Sequence, residues 1–184
     1  MRNINLSNVA DSNNNKPTAG GYVLEITNVR DVPMNESTGK GDYLIIDYDF
    51  ADGEFKDYYY GMMKSLGFWG GHFIRSYKPK ALGMFKAFIN ELKRDNPEFD
   101  WDDDTENDEN RMVGCRLGAV LGEEEYRGND GSIKKRLYVD KITSIDNIMN
   151  NKYKVPFLKS LEGTTGTSAG FVDTTDQIAA DVPF

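Results

Sequence analysis

Residues 79–96 read P-K-A-L-G-M-F-K-A-F-I-N-E-L-K-R-D-N, and how they fold decides the architecture. Leu82, Phe85, Phe88, Ile89 and Leu92 recur at helical spacing and form one apolar stripe. Pro79 suits the first helical position, where no N–H is needed, and Lys93 and Arg94 suit the negative end of the helix dipole. On either side of this helix the pattern turns strand-like.

Working towards the N-terminus, G-G-Y-V-L-E-I-T-N-V-R-D-V (20–32) sets Tyr22, Leu24 and Ile26 against polar partners. The turn-rich M-N-E-S-T-G-K-G-D follows, then Y-L-I-I-D-Y-D-F (43–50), with Leu44, Ile46, Tyr48 and Phe50 on one face. Asp52-Gly53 is a hairpin signal, because the pair tolerates positive φ, and it predicts a third strand in F-K-D-Y-Y-Y-G (55–61). Residues 61–78, rich in glycine and aromatics, support no assignment. Beyond the helix two long strand-like segments, 111–127 and 132–142, are joined by G-N-D-G. Three strands, one helix and two strands predict a mainly β chain: a five-stranded barrel with its helix between strands three and four. The first 18 residues read as a loose arm and 19–158 as the body. Residues 159–184, rich in Gly, Thr, Ser and Ala, read as a flexible tail that cannot bury enough apolar surface to offset chain entropy.

The formal net charge of −8 misleads, because the acids are clumped. E-F-D-W-D-D-D-T-E-N-D-E (98–109) carries eight, and the end beyond Lys159 adds Glu162, Asp173, Asp176 and Asp181. With both regions and Lys159 set aside, 21 basic residues face 18 acidic ones, a balance of +3. An anionic partner is therefore not excluded. There is no apolar run long enough to span a membrane, and the N-terminus lacks a signal-peptide pattern. One cysteine, Cys115, cannot form an internal disulfide, which favours a reducing, intracellular setting.

Signals for an enzyme are weak. His72 is the sole histidine and reads as a loop residue, and Cys115 falls in a strand-like segment, so neither sits in a catalytic motif. One His and one Cys cannot make a zinc site. The acidic loop fails the calcium-loop pattern: from Asp100, positions 6 and 12 are Thr105 and Arg111, and from Asp102 they are Asn107 and Val113. No cofactor or metal is expected. The enzymatic alternative is a metal-dependent nuclease using Asp47, Asp49 and Asp57 on neighbouring strands. A further alternative is a protein-interaction module or an acidic DNA mimic.

Cations and rings tell a different story. On the third predicted strand Lys56, Tyr58 and Tyr60 share a face, and on the fifth Lys134, Arg136 and Tyr138 alternate with inward Leu137 and Val139. Between them, F-W-G-G-H-F-I-R-S-Y-K-P-K interleaves Phe68, Trp69 and Tyr77 with Arg75 and Lys78. Single-stranded nucleic acid calls for this mixture, flat rings to stack on bases and cations to follow phosphates. These eleven residues are the candidate DNA contacts.

The terminal D-V-P-F, behind a flexible acidic linker, resembles the C-terminal tip of bacterial and phage single-stranded-DNA-binding proteins. The body, through K-P-T-A-G-G-Y-V-L-E-I, Y-D-F-A-D-G-E-F and R-S-Y-K-P-K-A-L-G-M-F-K-A-F-I, resembles a phage and prophage group from Gram-positive bacteria over residues 16–158. That resemblance implies an OB fold and a role in phage DNA replication or recombination in the cytoplasm of the bacterial host. It also implies that Asp181, Val182, Pro183 and Phe184 contact a partner protein, the ring entering an apolar pocket. Ala179 and Ala180 stand where the tip usually has acids. A lone OB fold with a short groove often gains affinity by assembling, so a homo-oligomer is compatible with this reading.

Overall fold

The computed structural model describes residues 15–102 and 107–161. The arm 1–14, four residues of the acidic loop and the segment 162–184, including the tip Asp181–Phe184, lie outside the described residues. Five strands form one antiparallel sheet: β1 (Gly20–Val32), β2 (Tyr43–Phe50), β3 (His72–Ser76), β4 (Arg116–Arg127) and β5 (Ile133–Thr143). Their order is β3-β2-β1-β4-β5. Helix α1 (Tyr58–Leu66) lies between β2 and β3, α2 (Leu82–Asp95) between β3 and β4, and α3 (Ile145–Met149) after β5. No helix among the described residues is long and apolar enough to cross a membrane.

β1 holds the sheet together because it serves two neighbours in turn. Its first half pairs with β4, from Gly20–Leu121 to Glu25–Arg116, and its second half with β2, from Leu24–Phe50 to Val32–Tyr43. The changeover falls at a register shift between Ile26 and Asn28, and a second shift interrupts β4 at Val120/Leu121. Such bulges bend a strand and raise its twist, so the sheet coils around its inner face. The alternation expected for β1 and β2 places Leu24, Ile26, Leu44, Ile46, Tyr48 and Phe50 in that interior, joined by Leu117, Ala119 and Leu121 from β4.

α2 begins, as expected, behind Pro79, which opens a 3-10 turn over Pro79–Ala81. Of its stripe, Phe88, Ile89 and Leu92 are buried, Phe85 is half-buried, and Leu82 at the rim is 50% exposed. The helix touches β3 on one side and β4 and β5 on the other, so it spans the two outer strands of the sheet. Its C-terminal end is fastened by side chains. Asn96 accepts from the Arg116 backbone N–H at 2.7 Å and donates to the same residue's carbonyl at 2.7 Å, while Asp95 accepts from Ile145 N–H at 2.9 Å. The acidic stretch that follows is not wholly solvated: Phe99 is buried in the core and Trp101 stacks on it with centroids 6.0 Å apart.

Two expectations are corrected. The third strand is His72–Ser76, not 55–61, and the residues read as a strand lead into α1 instead; and where one helix was expected, three α-helices stand among the described residues. The Asp52-Gly53 turn does form, with Gly53 at φ 73°, but Asp57 then takes a left-handed φ of 58° and turns the chain into a helix. The buried carboxylate of Asp49 completes that turn. It accepts from the backbone N–H groups of Tyr59 (2.9 Å) and Tyr60 (2.8 Å), two donors that a helix start leaves without internal partners. High strand propensity in Tyr58, Tyr59 and Tyr60 is overridden by tertiary contacts: Tyr59 stacks on Phe50 and meets Tyr48 edge-on. Lys159 forms a parallel bridge with Glu124, and its N–H and carbonyl bond Glu123 and Glu125 of β4.

Candidate nucleic-acid interface

The candidate DNA residues do not share one surface state, and the structure sorts them. Tyr58, Trp69 and Tyr77 are half-buried and pack against the main core. Trp69 leans on Tyr59, with centroids 6.1 Å apart, and donates from Nε1 to the Gly71 carbonyl at 3.0 Å. The Tyr77 ring meets Phe85 edge-on and its hydroxyl donates to Asp31, and burial followed by that hydrogen bond raises its pKa well above the ordinary phenol value. Arg75 faces inward from β3, over the rings of Phe73 at 4.8 Å and Phe88 at 5.7 Å. Lys78 donates to the Gly39 carbonyl at 3.2 Å, tying β3 to the loop before β2. Because 55–61 is not a strand, Lys56, Tyr58 and Tyr60 do not share a strand face.

Two groups remain at the surface. Around α1, Tyr60 and Phe68 are about half exposed, at 52% and 48%, and Lys64 places its ammonium 4.3 Å above the Tyr60 ring. Lys56 is exposed in the turn that leads into the helix. Along the β4–β5 ribbon, Arg136 pairs with Glu124 at 2.6 Å and lies 5.4 Å over the ring of Tyr126. Lys134 pairs with Asp130 at 3.0 Å. Tyr138 lies flat on the backbone of Gly122, where any Cβ would sit within 2.5 Å of the ring, and Lys159 covers its other face at 3.9 Å. Burial and the adjacent Asp140 push the Tyr138 phenol up to about 12, so it stays protonated.

Three residues at the surface were not singled out for DNA by the sequence: Lys64, Tyr126 and Arg30. Lys64 falls four residues after Tyr60, a helical neighbour once the segment is read as a helix. Tyr126 is in register with Lys134 across the ribbon. Arg30 lies 3.1 Å from Asp47, and Asn28 donates to the same carboxylate at 2.9 Å. His72, expected in a loop, opens β3 in register with Asp47.

Of the three carboxylates of the nuclease alternative, Asp47 and Asp49 are engaged separately. Asp47 binds Arg30 and Asn28, Asp49 binds backbone amides at the start of α1, and Asp57 occupies the exposed left-handed turn before that helix. Among the described residues no group of three or more His, Cys, Asp or Glu is arranged to hold a metal ion. Cys115 is buried, which pushes its thiol pKa up and favours the unreactive protonated form.

The fold and its surface define a mainly β protein with a five-stranded antiparallel sheet and cation–ring pairs on α1 and on the β4–β5 ribbon. No family model and no curated protein matches the chain.

Proposed function

We propose that the chain is a sequence-independent single-stranded-DNA-binding protein of phage type, without catalytic activity, built on an OB-fold barrel. In this reading it covers unpaired strands and recruits replication or recombination enzymes through Asp181, Val182, Pro183 and Phe184. The barrel reading draws support from the strand order: pairing of β3 with β5 is the one step that would close β3-β2-β1-β4-β5 into a ring, and α2 touches both of those strands. A partly open five-stranded barrel of this kind binds oligonucleotides across its second and third strands and the adjoining loops.

The observation that carries the function is the set of tyrosines that each bear a cation on the ring face: Tyr60 with Lys64, Tyr126 with Arg136 and Tyr138 with Lys159. An exposed cation–ring contact is worth about 0.5–1 kcal/mol, while stacking a base is worth about 1–3 kcal/mol. An arriving base therefore outcompetes the lysine for the ring, and the displaced ammonium stays within reach of the neighbouring phosphate. Neither contact reads base identity, which accounts for sequence independence. A second reading, a protein-interaction module, is favoured by one feature: Tyr60, Met63 and Leu66 fall on one side of α1 with Phe68 just beyond, all about half exposed or more.

One titration separates the readings. Labelled oligo-dT is expected to bind more tightly than duplex of equal length, with affinity falling as salt rises and no dependence on Mg²⁺. Cleavage in Mg²⁺ or Mn²⁺ that disappears in Asp47→Asn would establish the nuclease instead, and absence of binding at low salt would establish the protein module. Truncation after Leu161 tests the tail. Removing its four acids is expected to leave oligo-dT affinity unchanged or up to about threefold tighter at low salt, because fewer anions then compete for the cationic surface. Recruitment of a partner by the full chain should disappear in the truncated one.

A further inference from the structure

On the outer face of the sheet, β1, β2 and β3 place polar groups side by side. Asn28 and His72 are each in cross-strand register with Asp47, and Arg30, two residues along β1 from Asn28, points to the same side. Two nitrogen-bearing side chains, Arg30 and His72, thus flank Asp47 from the strands on either side of it.

The guanidinium of Arg30 is oriented by a carboxylate without being used up. It gives NH2 to Asp47 at 3.1 Å and remains 54% exposed. A guanidinium has five N–H donors, so a second anion can be taken on the edge turned to solvent. We propose that Arg30 and His72, on the strands either side of Asp47, form one phosphate-contact subsite for the backbone of a single strand, a subsite that rests on the single-stranded-DNA reading. Geometry suits this ligand because a phosphate offers several acceptor oxygens to donors carried by different strands. Asp47 sets the direction of the arginine.

His72 makes the subsite directly observable. Partial desolvation, with the charges of Arg30 and Arg136, outweighs the pull of Asp47 and lowers its pKa below the ordinary imidazole value. The groups that act on the ring are therefore Asp47 on β2, Arg30 on β1 and Arg136 on β5, with Glu124 on β4 held by Arg136. A phosphate beside the imidazole adds a negative charge and favours its protonated form.

As the chain has a single histidine, its ring signal in a proton–carbon NMR titration belongs to His72. The test follows that signal from pH 5 to 8 in the full chain, alone and saturated with oligo-dT. The titration midpoint is expected to rise by roughly one pH unit on saturation. Arg30→Gln should lower the slope of log affinity against log salt by about 0.7, one phosphate contact on a single strand. If oligo-dT binds but the midpoint stays put and the Arg30→Gln slope equals wild type, the subsite is overturned while the DNA-binding reading stands. If oligo-dT does not bind, that reading falls and takes the subsite with it.

Discussion

Asp49→Ala is expected to destabilise the protein by about 3 kcal/mol, the sum of lost charge-assisted hydrogen bonds and newly unpaired buried amides. The carboxylate is 4% exposed and accepts three backbone N–H bonds, from Phe50 at 2.9 Å, Tyr59 at 2.9 Å and Tyr60 at 2.8 Å. Two of those donors open α1, which has no capping bond from its own N-cap residue, Asp57. Removing the acceptor leaves the helix start without partners in a region where water has little access. For a chain of this size, about 3 kcal/mol corresponds to a fall in Tm of roughly 6–12 °C. Asp49→Asn keeps one acceptor oxygen but turns an amide donor towards backbone donors, so it should recover less than half of the loss. Thermal and urea unfolding followed by circular dichroism measures both. A wild-type Tm for Asp49→Ala would mean that α1 is held by packing alone.

The double variant Tyr60→Ala/Phe68→Ala is expected to weaken oligo-dT binding about thirtyfold, at about 1 kcal/mol per lost ring and tenfold per 1.4 kcal/mol. Both rings are about half exposed, so their removal should change Tm little. The informative contrast is Trp69→Ala. That ring sits against Tyr59 with its N–H on the Gly71 carbonyl, and its loss should lower stability before it lowers affinity. Fluorescence anisotropy with labelled oligo-dT, run beside thermal unfolding, reads both effects. Unchanged affinity in the double variant would remove α1 from the interface and shift weight to the protein-interaction reading.

The candidate site was only half legible in the sequence, for a definite reason. Residue type and spacing show that rings and cations are interleaved, but not which rings lie in the core. Tyr58 and Tyr60 are two residues apart and looked equivalent on a strand, whereas on a helix one turns to Phe50 and the other to solvent. Tyr77 and Trp69 looked like stacking platforms, yet each ring is taken up by another ring of the neighbouring element, Phe85 and Tyr59. Arg30 and His72 carried no local signal. Their shared neighbour on the outer face, Asp47, comes from β2, and register between strands is not written in any one of them.

The periodicities of β1, β2, β4, β5 and α2 are local properties, because burial on one face imposes a period of two on a strand and 3.6 on a helix. The sequence by itself therefore determined four of the five strands, the central helix and the part of the core that β1, β2 and α2 supply. Only the tertiary structure decided the fate of 55–78, where strand propensity in a run of tyrosines yields to a buried carboxylate from β2 and to aromatic contacts with Phe50 and Tyr48. It also decided which rings are left outside. That choice depends on contacts between segments far apart in the chain, and no local pattern carries it.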